Sequence, residues 1–102
     1  MIAIEIPKER LREFCRKWKV TEFSLFGSVV REDFGSSSDV DVLVSFAPDA
    51  QWSLFDHVHM QEELANIFGR DVDLLTRRAV EASSNRFRQR SILSSAVQLD
   101  VA

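Results

Sequence analysis

The chain has 102 residues, the usual length of one domain, so we expect a single domain over residues 1–102. Apolar residues make up 45% and charged residues 28%, which is typical of a folded protein and excludes a disordered chain. The single cysteine excludes an internal disulfide, and the apolar runs are too short for a membrane helix. We therefore expect a cytoplasmic protein with no membrane contact and no secretory signal.

Basic and acidic residues are segregated along the chain. Thirteen basic and sixteen acidic residues give a formal charge of -3, which argues against direct nucleic-acid binding. Six basic residues lie within 8–19 and six within 70–90, whereas 32–56 carries acidic residues and no basic one. A basic frame around an acidic centre suits a site that holds cations and a polyanion together. Solvated helix faces at both ends would give the same pattern.

The first part of the chain predicts a helix, a strand and a short helix. Pro7 suits a helix start, and the apolar residues after it recur at helical spacing: Leu11, Phe14, Cys15 and Trp18. Cys15 lies on this stripe and is interpreted as a core thiol. Val20–Phe26 predicts a strand that ends at Gly27, where a short helix follows, and residues 35–38 predict a turn.

The second part predicts two strands and two helices. A period of two from Asp39 to Phe46, with Val40, Val42, Val44 and Phe46 on one side, indicates a strand. Ser53 and Asp56 form a capping-box pattern before a helix that Gly69 ends, and its buried stripe would be Met60, Leu64, Ile67 and Phe68. Residues 71–76 predict a third strand and 85–99 contain a last helix. Helices and strands in this order indicate an α/β (α+β) fold.

Three aspartates fall on the two later strands. Asp39 and Asp41 are two residues apart, so both side chains leave the same sheet face, about 7 Å apart at the backbone. Asp73 joins that face if the apolar faces of the two strands share one core. Aspartate is depleted in strands. An exposed polar face without a ligand is the simpler interpretation, but clustered carboxylates also suit Mg²⁺, and two such ions could flank a phosphorus centre.

The segment after the first strand could bind phosphate. Gly27 permits a tight turn and a close backbone approach. Ser28 would then cap a short helix whose free N–H groups, with the serine hydroxyl, could meet a phosphate. A Gly-Ser pair alone is common and mostly structural. It is more specific here because Ser-Asp-Val-Asp-Val follows on a strand.

At this point the chain resembles the DNA-polymerase-β-like nucleotidyltransferases. The resemblance rests on four segments: Leu25-Phe26-Gly27-Ser28, Arg31, the run from Ser38 to Val44, and Val72-Asp73-Leu74-Leu75. The chain is most similar to the minimal nucleotidyltransferases (MNT), short members that occur as antitoxins beside HEPN-domain toxins. The resemblance covers about 21–76 and implies a small mixed β-sheet flanked by helices.

The resemblance also implies roles for individual residues. Gly27 and Ser28 would hold the triphosphate, with Arg31 near phosphate or an acidic neighbour. Asp39 and Asp41 would bind two Mg²⁺ ions, while Asp73 would help hold the ion on the nucleophile side and activate the incoming hydroxyl. The chain departs from the family pattern at Glu32, where glycine is common, and in having no tyrosine near its C-terminal helix.

These observations favour an enzyme that transfers AMP from ATP to a hydroxyl. By resemblance, the acceptor would be a tyrosine of a cognate HEPN toxin, in a type VII toxin–antitoxin pair. Two alternatives remain open: an antitoxin that neutralises its toxin by binding alone, and a small-molecule nucleotidyltransferase that works with a helical partner subunit.

Other chemistry-bearing side chains have weaker support. His57 and His59 do not share a helix face and make a poor metal pair. Arg86 and Arg90 could share a face, which would be solvated or would meet RNA or an acidic patch. Trp52 could stack on a base or belong to the core.

Overall fold

The computed structural model describes residues 4–30 and 39–102. Its helices in these ranges are α1 (Lys8–Trp18), α2 (Leu54–Phe68), α3 (Arg77–Glu81) and α4 (Arg86–Ser95). Its strands are β1 (Val20–Phe26), β2 (Val40–Phe46), β3 (Val72–Thr76) and β4 (Val97–Gln98), and a 3₁₀ turn spans Gly27–Val30. The turn predicted at 35–38 lies outside the described residues. None of the helices described has the length and apolar character needed to cross a membrane.

The sheet is mixed, as expected. The strand order is β3-β2-β1-β4, with β1 antiparallel to both β2 and β4, and β2 parallel to β3. A parallel pair needs a crossover connection, which α2 supplies. The sheet therefore brings the starts of β2 and β3 to one end, next to the end of β1.

The two faces of the sheet carry cores of different size. The larger core packs α1 and α2 against the valines of β2 and the apolar residues of β3; it includes Phe14, Phe23, Val40, Val42, Val44, Met60, Leu64, Val72 and Leu74. A smaller cluster on the other face joins Phe26 and Leu43 to Val80 of α3 and Ile92 of α4. Because alternate residues of β2 face opposite sides, Asp41 lies on the face of the smaller cluster.

The predicted ends of α2 are confirmed. The Ser53 hydroxyl accepts a hydrogen bond from the Asp56 N–H, and the Asp56 carboxylate accepts one from the Ser53 N–H. Gly69 ends the helix with a left-handed φ of 71°. These caps satisfy helix N–H and C=O groups that have no partner within the helix. The two caps therefore stabilise the ends of α2, the helix that connects the parallel strands β2 and β3.

Two elements were not predicted. Thr76 caps α3, its hydroxyl accepting a hydrogen bond from the Ala79 N–H at 3.2 Å. At five residues, α3 is too short to show helical periodicity. Strand β4 has two residues, both exposed, and pairs with β1 through its main chain, so it has no alternating pattern.

Candidate active site

The register of the parallel pair places Asp41 beside Asp73. Val40 pairs with Val72 and Asp41 with Asp73. Paired positions on neighbouring strands point to the same face, and such strands lie about 4.8 Å apart. Both valines are buried in the larger core, so both carboxylates project from the opposite face, where they are half-buried. The shared face that the sequence predicts for Asp41 and Asp73 is therefore confirmed.

Asp39 lies just before β2 and is exposed. It lines a shallow cavity of about 420 Å³ together with Asp71 and Asp73 from the β3 segment and Gln61 and Glu62 from α2. The cavity wall is thus strongly acidic. Among residues 4–30 and 39–102, no three His, Cys, Asp or Glu side chains are grouped closely enough to hold one metal ion. Convergence of all three aspartates on shared ions therefore stays a prediction.

Gly27 lies against the Asp41 carboxylate. Phe26 pairs with Asp41 across β1 and β2, so the chain turns immediately beside this aspartate. Gly27 has a φ of 72°, and a Cβ built on it would collide with the carboxylate oxygen Oδ2 of Asp41. Glycine is required for both reasons, because an L side chain would be strained at this φ and would also displace Asp41.

Of the two other residues predicted to bind nucleotide, Ser28 is among the residues that the structure describes. Ser28 follows Gly27 in the 3₁₀ turn and is half-buried. The predicted short helix is thus a single 3₁₀ turn, in which Val29 is buried in the larger core. Arg31 lies outside the described residues.

Two α2 side chains bind the main chain of β3 on the edge away from β2, a contact that the sequence did not predict. The Gln61 side-chain oxygen accepts a hydrogen bond from the Leu74 N–H at 3.1 Å, and His57 Nε2 lies 3.0 Å from the Leu74 carbonyl. Since Nε2 faces a carbonyl, it carries the proton. The i, i+4 spacing of His57 and Gln61 places both side chains on one face of α2 and could have indicated that they act together. His57 and exposed His59 point differently, as predicted, and His57 holds the edge strand next to Asp73.

The tryptophans and the cysteine belong to the fold. Trp52 Nε1 donates to the Trp18 carbonyl at 3.0 Å, and the two rings meet edge to face with centroids 5.2 Å apart. Trp18 Nε1 donates to Glu63 at 2.9 Å. Trp52 is therefore a packing residue at the rim of the core. Cys15 is buried in the core as predicted, and burial raises the pKa of its thiol to about 11.

The sequence was compared with known protein families and with related proteins. Residues 8–99 match the family described as the nucleotidyltransferase domain. The chain belongs to the nucleotidyltransferase family. This nucleotidyltransferase is 35% identical over 75 residues to the protein adenylyltransferase MntA of Thermococcus cleftensis, covering 74% of this chain and 71% of MntA. A Methanocaldococcus jannaschii protein, provisionally named a protein adenylyltransferase, is 32% identical over 76 residues, covering 74% of this chain and 76% of that protein.

Solved structures agree with the nucleotidyltransferase fold. A structure described provisionally as a minimal nucleotidyltransferase superposes with a TM-score of 0.68 at 28% identity, covering 90% of this chain and 88% of that one. A toxin–antitoxin complex with AMP-PNP gives 0.70 at 21% identity, covering 91% and 72%. A tri-AMPylated Shewanella oneidensis HEPN toxin in complex with MNT antitoxin gives 0.61 at 20% identity, covering 89% and 66%. At 21% and 20% identity, the similarity to these two complexes shows the fold alone.

Proposed function

We propose that this nucleotidyltransferase transfers AMP from ATP to a hydroxyl of a partner protein in a Mg²⁺-dependent reaction. The observation that carries this is the side-by-side register of Asp41 and Asp73 with Gly27 against Asp41. Carboxylates fixed on neighbouring strands beside a glycine turn suit a site that holds a nucleoside triphosphate with its cations. The names of relatives that are 32% and 35% identical to this chain over the aligned residues support adenylyl transfer in particular.

The donor set fits Mg²⁺. The ion takes hard oxygen ligands, usually one or two carboxylates together with waters and phosphate oxygens. Asp39 and Asp41 would hold both ions, and Asp73 would contribute to the one on the hydroxyl side. Bound Mg²⁺ would withdraw charge from the α-phosphate and neutralise the carboxylates, which otherwise repel one another.

The chain itself positions the triphosphate and the proton acceptor. Gly27 lets the backbone of the turn approach the phosphates closely, and the Ser28 hydroxyl donates to one of their oxygens, with Arg31 as a further cation. The acceptor hydroxyl oxygen forms a bond to the α-phosphorus as the bond to the β-phosphate bridging oxygen breaks. Pyrophosphate leaves, and Asp73 takes the hydroxyl proton.

The acceptor is a separate protein. The cavity beside Asp39 and Asp73 is shallow and acidic, which suits an acceptor site that a second protein completes. A HEPN-domain toxin is the acceptor class that a solved neighbour of the same fold carries in AMPylated form. We propose a HEPN-domain protein encoded beside this chain, modified on a tyrosine and silenced by the added charge and bulk. Such a pair acts in the cytoplasm, which the reduced thiol of Cys15 fits.

The test is transfer of label from α-³²P-ATP to that HEPN-domain protein in the presence of Mg²⁺. We expect label on the HEPN protein with wild-type enzyme, and at least a hundredfold less with Asp41→Asn. Asp100→Asn removes one exposed carboxylate away from β2 and β3 and serves as the matched control, with unchanged transfer. Equal labelling with wild type and Asp41→Asn, or none with either, contradicts the proposal. Full neutralisation of the toxin by Asp41→Asn would instead support an antitoxin that acts by binding.

A further inference from the structure

The outward face of α4 combines an exposed aromatic ring with two arginines. Phe87 has 93% of its surface exposed. Arg86 and Arg90 flank it and are exposed as well, one helical turn apart. Ile92 is the buried residue of α4, and helical spacing puts Arg86, Phe87 and Arg90 on the side away from it. We call these three residues the α4 surface.

The two arginines of the α4 surface, Arg86 and Arg90, form no ion pairs with the residues that the structure describes. By contrast, Arg77 on the preceding helix pairs with Glu81 at 3.5 Å. Arg86 and Arg90 also line a groove of about 440 Å³ with Gln89, Leu93 and Ser94. Leu93 is the apolar side chain among these lining residues, beside the two arginines.

The α4 surface lies on the same side of the sheet as the reactive carboxylates. Ile92 packs with Phe26 and Leu43 in one cluster. Phe26 is the residue opposite Asp41 across β1 and β2, and Leu43 follows Asp41 by two residues on the same face. Helix α4 also contacts the 3₁₀ turn that contains Gly27. A protein bound on α4 is therefore beside the site, on the face where Asp41 and Asp73 project.

We propose that the α4 surface is the docking surface for the acceptor protein, whose matching surface presents acidic side chains around an apolar recess. Phe87 would fill the recess, and Arg86 and Arg90 would each bind a carboxylate through paired N–H groups. Aromatic and arginine side chains are the residues enriched at the energetically dominant centres of protein interfaces. This inference rests on the proposed function for the identity of the partner.

A protein partner fits this surface better than RNA. Phe and Arg also occur together where single-stranded RNA binds, but those surfaces are extended basic grooves in domains of high pI. This chain has a formal charge of -3 and a pI near 5.3. The acidic cavity at Asp39, Asp71 and Asp73 would repel a long phosphate backbone that extended from α4 to the proposed site. A local cluster of carboxylates on a folded partner would bind the α4 surface without having to pass this cavity.

The test measures the Kd of the HEPN-domain protein for four forms of the chain by isothermal titration calorimetry. They are wild type, Phe87→Ala, the double variant Arg86→Glu/Arg90→Glu, and the matched double variant Lys8→Glu/Arg10→Glu. The last makes the same charge change at exposed residues of α1. We expect the Kd to rise at least tenfold for both α4 variants and to change less than twofold for the α1 variant. Stabilisation by Mg²⁺ and ATP should be unchanged in all four, which shows that each folds.

The docking surface is overturned if wild type does not bind, if wild type and the α4 variants have equal Kd, or if the α1 and α4 variants lose binding equally. Binding of a single-stranded RNA oligonucleotide that only the α4 variants lose, with HEPN binding intact, also overturns it in favour of RNA. Failure of the proposed function is distinguishable. In that case the α4 variants still lose HEPN binding, while wild-type enzyme transfers no label.

Discussion

Gly27 lies so close to Asp41 that a side chain at position 27 would occupy the space of the Asp41 carboxylate. The contact arises because Phe26 pairs with Asp41, so the turn after β1 begins beside the aspartate. The turn proposed to hold phosphate and the carboxylate proposed to hold Mg²⁺ therefore share one position in the fold. Changes at Gly27 should affect chemistry through Asp41.

Gly27→Ala tests this link, and Gly69→Ala is its matched control. Both glycines have nearly the same positive φ, 72° and 71°, but a Cβ at Gly69 meets nothing within 4 Å. Both substitutions should cost about 1–2 kcal/mol of stability for the left-handed backbone, and Gly27→Ala should cost more because its Cβ collides with Asp41. Only Gly27→Ala should lower adenylyl transfer, by at least tenfold, because only it displaces Asp41. Equal activity of the two variants in a transfer assay would contradict the link.

Mg²⁺ and ATP should stabilise the chain together. A ligand that binds only the folded state adds about 2.7 kcal/mol at a concentration of 100 times its Kd, which corresponds to a Tm increase of about 10 °C for a domain of this size. We expect that increase in thermal melts with both ligands present. EDTA should abolish it, and Asp39→Asn should reduce it. A Tm that does not change at millimolar ligand would exclude the nucleotide site.

Asp73→Asn should separate stability from activity. Without Mg²⁺, Asp41 and Asp73 are adjacent carboxylates that repel each other, so neutralising one should leave the Tm unchanged or raise it. Transfer should fall at least a hundredfold, since the proposed proton acceptor is lost. Paired melting and transfer measurements on this variant check both parts. A large drop in Tm would show that Asp73 is a structural residue.

Much of the site could be predicted because strand periodicity is local. The alternation of valines and aspartates in β2, repeated in β3, is enough to put Asp41 and Asp73 on one face once the valines are buried. The contact between Gly27 and Asp41 could not be predicted in the same way. It depends on the register of β1 against β2, which is a relationship between separate segments.

The helices that pack on the second face of the sheet could not be predicted from local sequence patterns either. Helix α4 has one buried residue, Ile92, and α3 has one, Val80, so neither shows an amphipathic stripe. Both helices pack on the sheet face opposite the valines, where Val80 and Ile92 bury Phe26 and Leu43. This packing joins separate segments and is not visible in either helix alone. The edge contacts of Leu74 with His57 and Gln61 likewise require the packing of α2 along β3.

Gln61→Ala should destabilise the edge of β3. The Leu74 N–H points away from β2 and donates to Gln61, so truncation removes its acceptor. Loss of one such hydrogen bond costs about 1 kcal/mol. Asn66→Ala, at an exposed position of the same helix, should change stability by less than about 0.5 kcal/mol. Urea unfolding measures both, and equal midpoints for the two variants would show that the edge bond contributes nothing.

Cys15 should make the stability of the chain fall in alkaline solution. Its thiol has an ordinary pKa of 9.0, which burial raises to about 11 in the folded protein. Above pH 9 the unfolded chain loses this proton while the folded chain keeps it. The contribution of the neutral thiol is therefore fully present below pH 9 and is lost between pH 9 and 11, by up to about 3 kcal/mol. Cys15→Ala lacks the titrating group, so its free energy of unfolding should decline less over this range. Parallel slopes for wild type and Cys15→Ala in urea titrations from pH 8 to 11 would contradict the burial of the thiol.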